Sequence, residues 1–173
     1  MLAMGGDHVH VSSGDVFRGL DPQSKEGQLF TSYAGQGKLV PAEVTIEIFE
    51  AHVKGLIAKG LYDPERQLLL LDGLPRTKRQ AEVLDSIVVI KQVILLDVED
   101  RDLLVQRIAG RASQQGRRDD QCKDVLNQRF EVYESQTKEV LTHYSELLVA
   151  HFDAGQSKLA VLKDVLNQLL SLF

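Results

Sequence analysis

The chain has 173 residues, enough for one domain with its own hydrophobic core. Hydrophobic content of 43% and charged content of 26% are ordinary for a soluble globular protein, and with no tryptophan and 6% aromatics the core must be mostly aliphatic. A net charge of −5 argues against general nucleic-acid binding, while the single cysteine, Cys122, excludes an internal disulfide or a multi-cysteine zinc site and points to a reducing compartment.

The opening MLAMGGDHVHV has neither the basic nor the long apolar region of a signal peptide. Apolar runs are far too short to cross a bilayer, so the expectation is a soluble, cytoplasmic protein with no membrane partner. His8 to Val11 reads as a weak short strand that ends at Ser12-Ser13-Gly14-Asp15. A mostly polar excursion comes next, from Asp15 to about Lys38. Val44, Ile46, Phe49, Val53, Leu56 and Ile57 then recur with helical spacing, after a Pro41 suited to a first turn and before a Gly60 suited to closing the helix.

Leu68 to Leu71 predicts a short strand buried on both faces. Asp72 stands where it stops, Gly73 and Pro75 force a sharp turn, and Arg76 comes immediately after. At the carboxyl end of a parallel strand, where ligands gather, a carboxylate and a guanidinium suit a metal-bound, phosphorylated substrate. The same residues also suit a plain turn with a surface ion pair. Gln80 to Val89 predicts a helix, and Val93 to Val98 a buried strand. Leu103, Leu104 and Ile108 share one face of the next helix. A polar break from Ala112 to Gln121 precedes two further helices, with His151 to Gly155 as a strand or turn between them. Strands alternating with helices predict an α/β fold with a parallel sheet. There is no internal repeat or linker, so the whole chain, 1–173, reads as one domain with two excursions, the second an Arg-rich loop around Gly116.

Arginines recur where elements end: Arg18, Arg76, Arg107, Arg111, Arg117, Arg118 and Arg129. Arg107 and Arg111, four apart, suit either a solvated face paired with Glu99, Asp100 or Asp102, or a phosphate clamp. A guanidinium fork matches phosphate oxygens bidentately and stays charged.

SSGDVFR (Ser12 to Arg18), GKLVP (Gly37 to Pro41), DGLPRTKRQAE (Asp72 to Glu82), LLVQRIAGR (Leu103 to Arg111), RRDD (Arg117 to Asp120) and RFEVYESQT (Arg129 to Thr137) come in the order, and near the spacing, of a known family. In these segments the chain resembles the adenylate kinase family of nucleoside monophosphate kinases, from His8 almost to its end. The resemblance implies a P-loop NTPase-like, three-layer parallel sheet with helices on both faces, a monophosphate-binding insert at about 13–42 and a short lid at about 111–118. It implies reversible phosphoryl transfer from Mg·ATP to AMP by a monomer, chemistry that is mostly positioning and charge neutralisation.

By the same resemblance, AMP is bound by Ser13, Arg18, Lys38, Leu39, Val40, Gly73, Arg76, Gln80, Arg117 and Arg129. Arg18 and Arg76 grip its phosphate, and Gln80 reads the base. Thr77 and Gln80 favour AMP over a pyrimidine monophosphate, although Ser13 stands where the family usually has threonine. Arg107, Arg111 and Gln156 contact ATP, and Asp72 holds magnesium through water. Arg76, Arg111, Arg117 and Arg129 carry the catalysis. The stretch from Asp120 to Arg129 is one residue longer than the family's. The histidines His8, His10, His52, His143 and His151 read as structural or exposed, and Tyr133 and Tyr144 as packing.

The family's glycine-rich phosphate loop, G-x-x-x-x-G-K-[ST], is absent from these 173 residues. The expectation is that the first, central strand is missing along with it, so that the chain begins inside what should be the first helix. A buried strand side chain contributes about 1.5–3 kcal/mol, against a domain stability of about 5–15 kcal/mol. The chain on its own is therefore expected to be marginal or aggregation-prone. Two explanations are open: the protein starts upstream of Met1, or it is a shortened AMP-binding module (a pseudokinase or half of a complemented enzyme) that transfers no phosphate.

Overall fold

The computed structural model describes residues 8–115 and 123–170. β1 (His8–Ser12) leads directly into α1 (Ser13–Arg18), and α2 (Lys25–Ala34) and α3 (Ala42–Ala58) come before β2 (Leu68–Asp72). α4 (Lys78–Leu84) connects to β3 (Val93–Asp97), which is succeeded by α5 (Arg101–Gln115). α6 (Lys123–Val132) runs through a π-helical turn (Tyr133–Thr137) into α7 (Lys138–Leu141). A 3₁₀ turn (Glu146–Leu148), β4 (Val149–Asp153) and α8 (Lys158–Leu170) end the described chain. The segment His151 to Gly155 is thus a strand to Asp153, with Ala154 and Gly155 in the turn after it.

The fold is α/β, and both strand pairs are parallel. β1 pairs with β2, from His8 opposite Leu68 to Ser12 opposite Asp72. β3 pairs with β4, from Val93 opposite Val149 to Asp97 opposite Asp153. Each pair is joined by a helical crossover, as parallel strands require. Among the described residues the strands form two two-stranded sheets, with no ladder between β2 and β3.

This explains a difference from the sequence reading. Leu68 to Leu71 are half-buried rather than enclosed on both faces, and Leu96 in β3 is 51% exposed. Side chains alternate across a strand. Val9, Val11, Leu69 and Leu71 share one face and pack with Ile46 and Phe49 of α3 and Leu84 of α4. Leu68 and Leu70 point the other way, outside that cluster.

α4 touches both halves of the molecule. Leu84 belongs to the core with Val11, Ile46, Phe49 and Leu74. Ala81, one turn earlier, packs with Val140 and Tyr144, against which Val93 and Val149 lie. Thr77 caps this helix by accepting from the Gln80 N–H at 3.1 Å. The helix ends at Leu84, short of the Val89 expected, and continues as turns through Val88. Asp85 and Ser86, succeeded by the β-branched run Ile87 to Ile90, disfavour further α-helix there. The expected stop at Gly60 holds, with α3 ending at Ala58 and the Gly60 N–H returning to the Ile57 carbonyl at 2.9 Å. The polar excursion is more ordered than its composition suggests. It contains α1 and α2, and Ser24 caps the latter by accepting from the Gly27 N–H at 3.0 Å.

Candidate functional site

The carboxyl ends of β1 and β2 lie side by side, since Ser12 pairs with Asp72. The turns leaving the two strands therefore share one rim. After β1 comes buried Ser13, whose Oγ donates to the Gly73 carbonyl at 2.8 Å. After β2 comes Gly73, with φ at +71°. A Cβ there would sit 2.6 Å from Arg76 Nη2 and 3.0 Å from Ser13 Oγ, so glycine is required both for the left-handed turn and for the close approach. Arg76 Nε donates to the Gly73 carbonyl at 2.8 Å. The Arg76 N–H donates to Gln80 Oε1 at 2.7 Å, and Thr137 Oγ1 donates to the Arg76 carbonyl at 3.0 Å. The arginine is pinned on every side of its backbone.

The surroundings of Arg76 define the site. Although its side chain keeps solvent access, its surroundings push its pKa below the usual guanidinium value, first by desolvation, then by the positive charge of Arg129; Asp72 opposes this, and Arg18 and Arg111 add to it. Residues from α1, the turn between β2 and α4, α5 and α6 therefore bring four guanidinium groups within electrostatic reach, with Asp72 as the carboxylate among them. Arg18 is paired with Asp15 on its own helix. Such an assembly of like charge is costly without a multivalent anion to bind, and phosphate groups match it.

The excursion closes toward the same rim. Gly37 is buried against α6, where a Cβ would lie 2.9 Å from the Val125 carbonyl oxygen and 3.2 Å from Gln128 Cβ. This sets the segment Lys38 to Val40 beside the helix that carries Arg129. Leu39 and Val40 are half-buried, while Lys38 Nζ is engaged by Gln36 Oε1 at 2.9 Å. Gln80 is 2% exposed, and its oxygen already serves Arg76. To read a base it must share that oxygen or use its amide nitrogen.

Arg107 and Gln156 meet each other at a different place. The Arg107 guanidinium donates to the carbonyls of Ala154, Gly155 (3.3 Å) and Gln156 (3.2 Å), tying α5 to the turn after β4. Gln156 Nε2 reaches Asp164 of α8 at 2.8 Å. Of the solvated-face partners weighed for Arg107, none is needed: its bonds are to backbone 47 to 49 residues away. Arg117 lies outside the described residues, as do Arg118, Asp119, Asp120 and Cys122.

For a metal, Asp72 is the fitting donor: a hard carboxylate, its side chain 67% exposed, with His10 Nε2 3.8 Å away. Among the described residues no group of three or more His, Cys, Asp or Glu forms a cage. One carboxylate with waters suits magnesium carried in on a nucleotide.

A cavity of about 950 Å³ lies elsewhere among the described residues. It lies between β1, α1, α2 and α3, with Val16, Leu20, Leu29, Val44 and Ile48 lining it. Asp15, Asp21, Glu26 and Glu47 are also in its wall. With Lys25 as the one lysine or arginine against those four carboxylates, the wall disfavours phosphate, so the arginine rim and not this hollow is the candidate site. Sequence reasoning missed Thr137 as a partner of Arg76 and Gly37 as a contact of α6. Both stood in the conspicuous segments RFEVYESQT and GKLVP, which was the available signal.

The sequence model of the family "Adenylate kinase" matches residues 3–149. The chain is 38% identical over 141 residues to the adenylate kinase of Kocuria rhizophila, covering 79% of this chain and 71% of that protein. It is 34% identical over 143 residues to that of Flavobacterium psychrophilum, covering 79% and 70%. Similarity to that of Thermoanaerobacter pseudethanolicus extends over 192 aligned residues at 32% identity, covering 92% and 85%. The matched stretch includes the β1–α1 and β2–α4 turns and the helices α5 and α6 that carry Arg111 and Arg129, so the chain belongs to the adenylate kinase family.

Proposed function

We propose that the arginine rim holds AMP and Mg·ATP and that the chain, a nucleoside monophosphate kinase by family, interconverts ATP and AMP with two ADP. The observation that carries this reading is the convergence of Arg18, Arg111 and Arg129 on Arg76 beside Asp72. Arg18 and Arg76 hold the acceptor phosphate. Ser13, Lys38, Leu39, Val40, Gly73 and Gln80 enclose the monophosphate, and the segment about 13–42 acts as its binding insert. Arg111, Arg129 and Arg117 neutralise charge on the transferring group, with about 111–118 as the lid. The edge made by Arg107 and Gln156 takes the ATP side. Asp72 holds magnesium through water, and the ion, when bound with ATP, supplies charge neutralisation for the phosphates.

The fold that goes with this is a three-layer parallel sheet with helices on both faces; the shared strand direction within each ribbon supports it. No helix among the described residues is long and apolar enough to cross a membrane. The reading is a cytoplasmic monomer, and a lone cysteine with no disulfide partner in the chain is in keeping with a reducing compartment.

One observation favours a second reading, monophosphate binding without transfer: the 173 residues contain no G-x-x-x-x-G-K-[ST] pattern to cradle donor phosphates. A coupled assay of ADP formation from ATP and AMP, run beside calorimetric titration with AMP, separates the two. Turnover abolished by Arg76→Ala supports the kinase. AMP binding without turnover supports the second reading, and absence of both overturns the site.

A further inference from the structure

Thr137 has none of the roles given to the residues of the rim, yet its hydroxyl spans 61 residues to donate to the Arg76 carbonyl at 3.0 Å. It closes the π-helical turn Tyr133–Thr137 that interrupts the helix carrying Arg129. Arg129 and Thr137 are eight residues apart in the sequence. In an unbroken α-helix that spacing leaves two side chains about 80° apart around the axis. A turn of i→i+5 type absorbs one extra residue, so the pair behaves like positions i and i+7, on one face. The contacts agree: Arg129 acts on the Arg76 guanidinium through its charge, and Thr137 acts on the Arg76 backbone through its hydroxyl.

The positive charges of Arg76 and Arg129 oppose the approach of the Arg76 loop to α6, with Asp72 offsetting part of this. An uncharged link between the same two elements opposes their separation. Thr137 supplies it on the carbonyl side of Arg76, while Gln80 holds the N–H side at 2.7 Å. The π-helical turn thus lets one helix bring the Thr137 hydroxyl onto the Arg76 carbonyl while Arg129 stays within electrostatic reach of the Arg76 guanidinium.

We propose that Thr137 is a positioning residue for the phosphate site: by holding the Arg76 loop against α6 it sets the separation of Arg76 and Arg129 before the anion arrives. The proposal rests on the reading of the arginine rim as the monophosphate site. It commits Thr137 to AMP affinity rather than to fold stability alone.

The test is calorimetric titration of the full chain with AMP, comparing the unaltered protein with Thr137→Val, Thr137→Ser, Arg76→Lys and the double variant Arg76→Lys/Thr137→Val, each checked by thermal melting. Loss of one such hydrogen bond should weaken AMP binding about three- to tenfold in Thr137→Val. Thr137→Ser, which keeps the hydroxyl, should bind within about twofold of the unaltered chain. The double variant should bind no more weakly than Arg76→Lys, because the two side chains act through one loop. Should the valine variant not fold, Thr137→Ala takes its place. Unchanged affinity in the hydroxyl-free variant, equal loss in the serine variant, or losses that multiply in the double variant would each overturn the positioning role. A different failure, no AMP binding by the unaltered chain or none of it lost in Arg76→Lys, removes the phosphate-site reading and the role of Thr137 with it.

Discussion

Ser13 and Arg76 meet on a single oxygen: the Ser13 hydroxyl and the Arg76 Nε each donate to the Gly73 carbonyl at 2.8 Å. The start of α1 and the loop after β2 are thereby fixed to one another. The guanidinium is aimed before any ligand binds. Preorganised donors of this kind are what phosphoryl transfer asks of a protein.

Gly73→Ala should fail on two counts. The new Cβ collides with Arg76 Nη2 and Ser13 Oγ, and the backbone at φ +71° disfavours any side chain. Urea unfolding should show a loss of about 1–3 kcal/mol, and calorimetry a loss of AMP binding. A variant that matches the unaltered chain in both would mean that the turn relaxes freely and positions nothing.

Inorganic phosphate should raise the melting temperature. An anion that binds the folded rim relieves the repulsion among Arg76, Arg129, Arg18 and Arg111 and stabilises by mass action, about 2.7 kcal/mol at a hundredfold excess over Kd. Arg76→Gln should remove most of that shift. If chloride at equal ionic strength gives the same rise, the effect is screening and not a site.

Stability should fall in alkali through Tyr144. Its side chain is buried, and its hydroxyl donates to Asp85 Oδ1 at 3.3 Å. Desolvation first, then the Asp85 charge and the hydrogen bond, raise the phenol's pKa in the folded state. A raised pKa on an acid means that the folded protein holds the proton more tightly. That contribution is complete below the unfolded value of about 10 and is lost as pH climbs through the folded one. Urea unfolding from pH 8 to 11 should show the decline beginning near pH 10. Tyr144→Phe should flatten it, at a cost of about 0.5–1.5 kcal/mol near neutrality.

Arg107→Ala should loosen the turn after β4 without touching AMP affinity. The guanidinium satisfies the carbonyls of Ala154, Gly155 and Gln156 together, so its removal costs about 1–2 kcal/mol at this exposed place. Arg107→Lys should not restore the loss, because a compact ammonium lacks the planar fork. Denaturation midpoints and amide exchange at 154–156 read the outcome. Weakened AMP binding in either variant would tie this turn to the monophosphate site instead.

Much of this was legible in the residues. Asp72, Gly73 and Arg76 mark the rim in the sequence because a buried-looking strand, a turn glycine and a guanidinium come in succession, and the stop at Gly60 reflects ordinary capping. Other features depend on partners far along the chain, and local pattern does not carry them. The oxygen of Gln80 goes to a backbone N–H that only the folded turn presents. Arg107 looks like half of an i,i+4 surface pair, and its carbonyl partners lie on a distant turn. α1 and α2 hide in polar composition because the small excursion has little core to bury. The half-exposure of Leu68 to Leu71 is invisible locally, since an apolar run says what wants to be covered and not what covers it.

α4 spans barely two turns, yet it seats one residue in each oily interior, Leu84 at 0% exposure on one side and Ala81 at 0% on the other. It acts as an axle between two wheels. Pulling α4 away from either ribbon would uncover a fully buried side chain, which couples the two cores energetically. A displacement of α4 therefore reaches both cores through seven residues of helix.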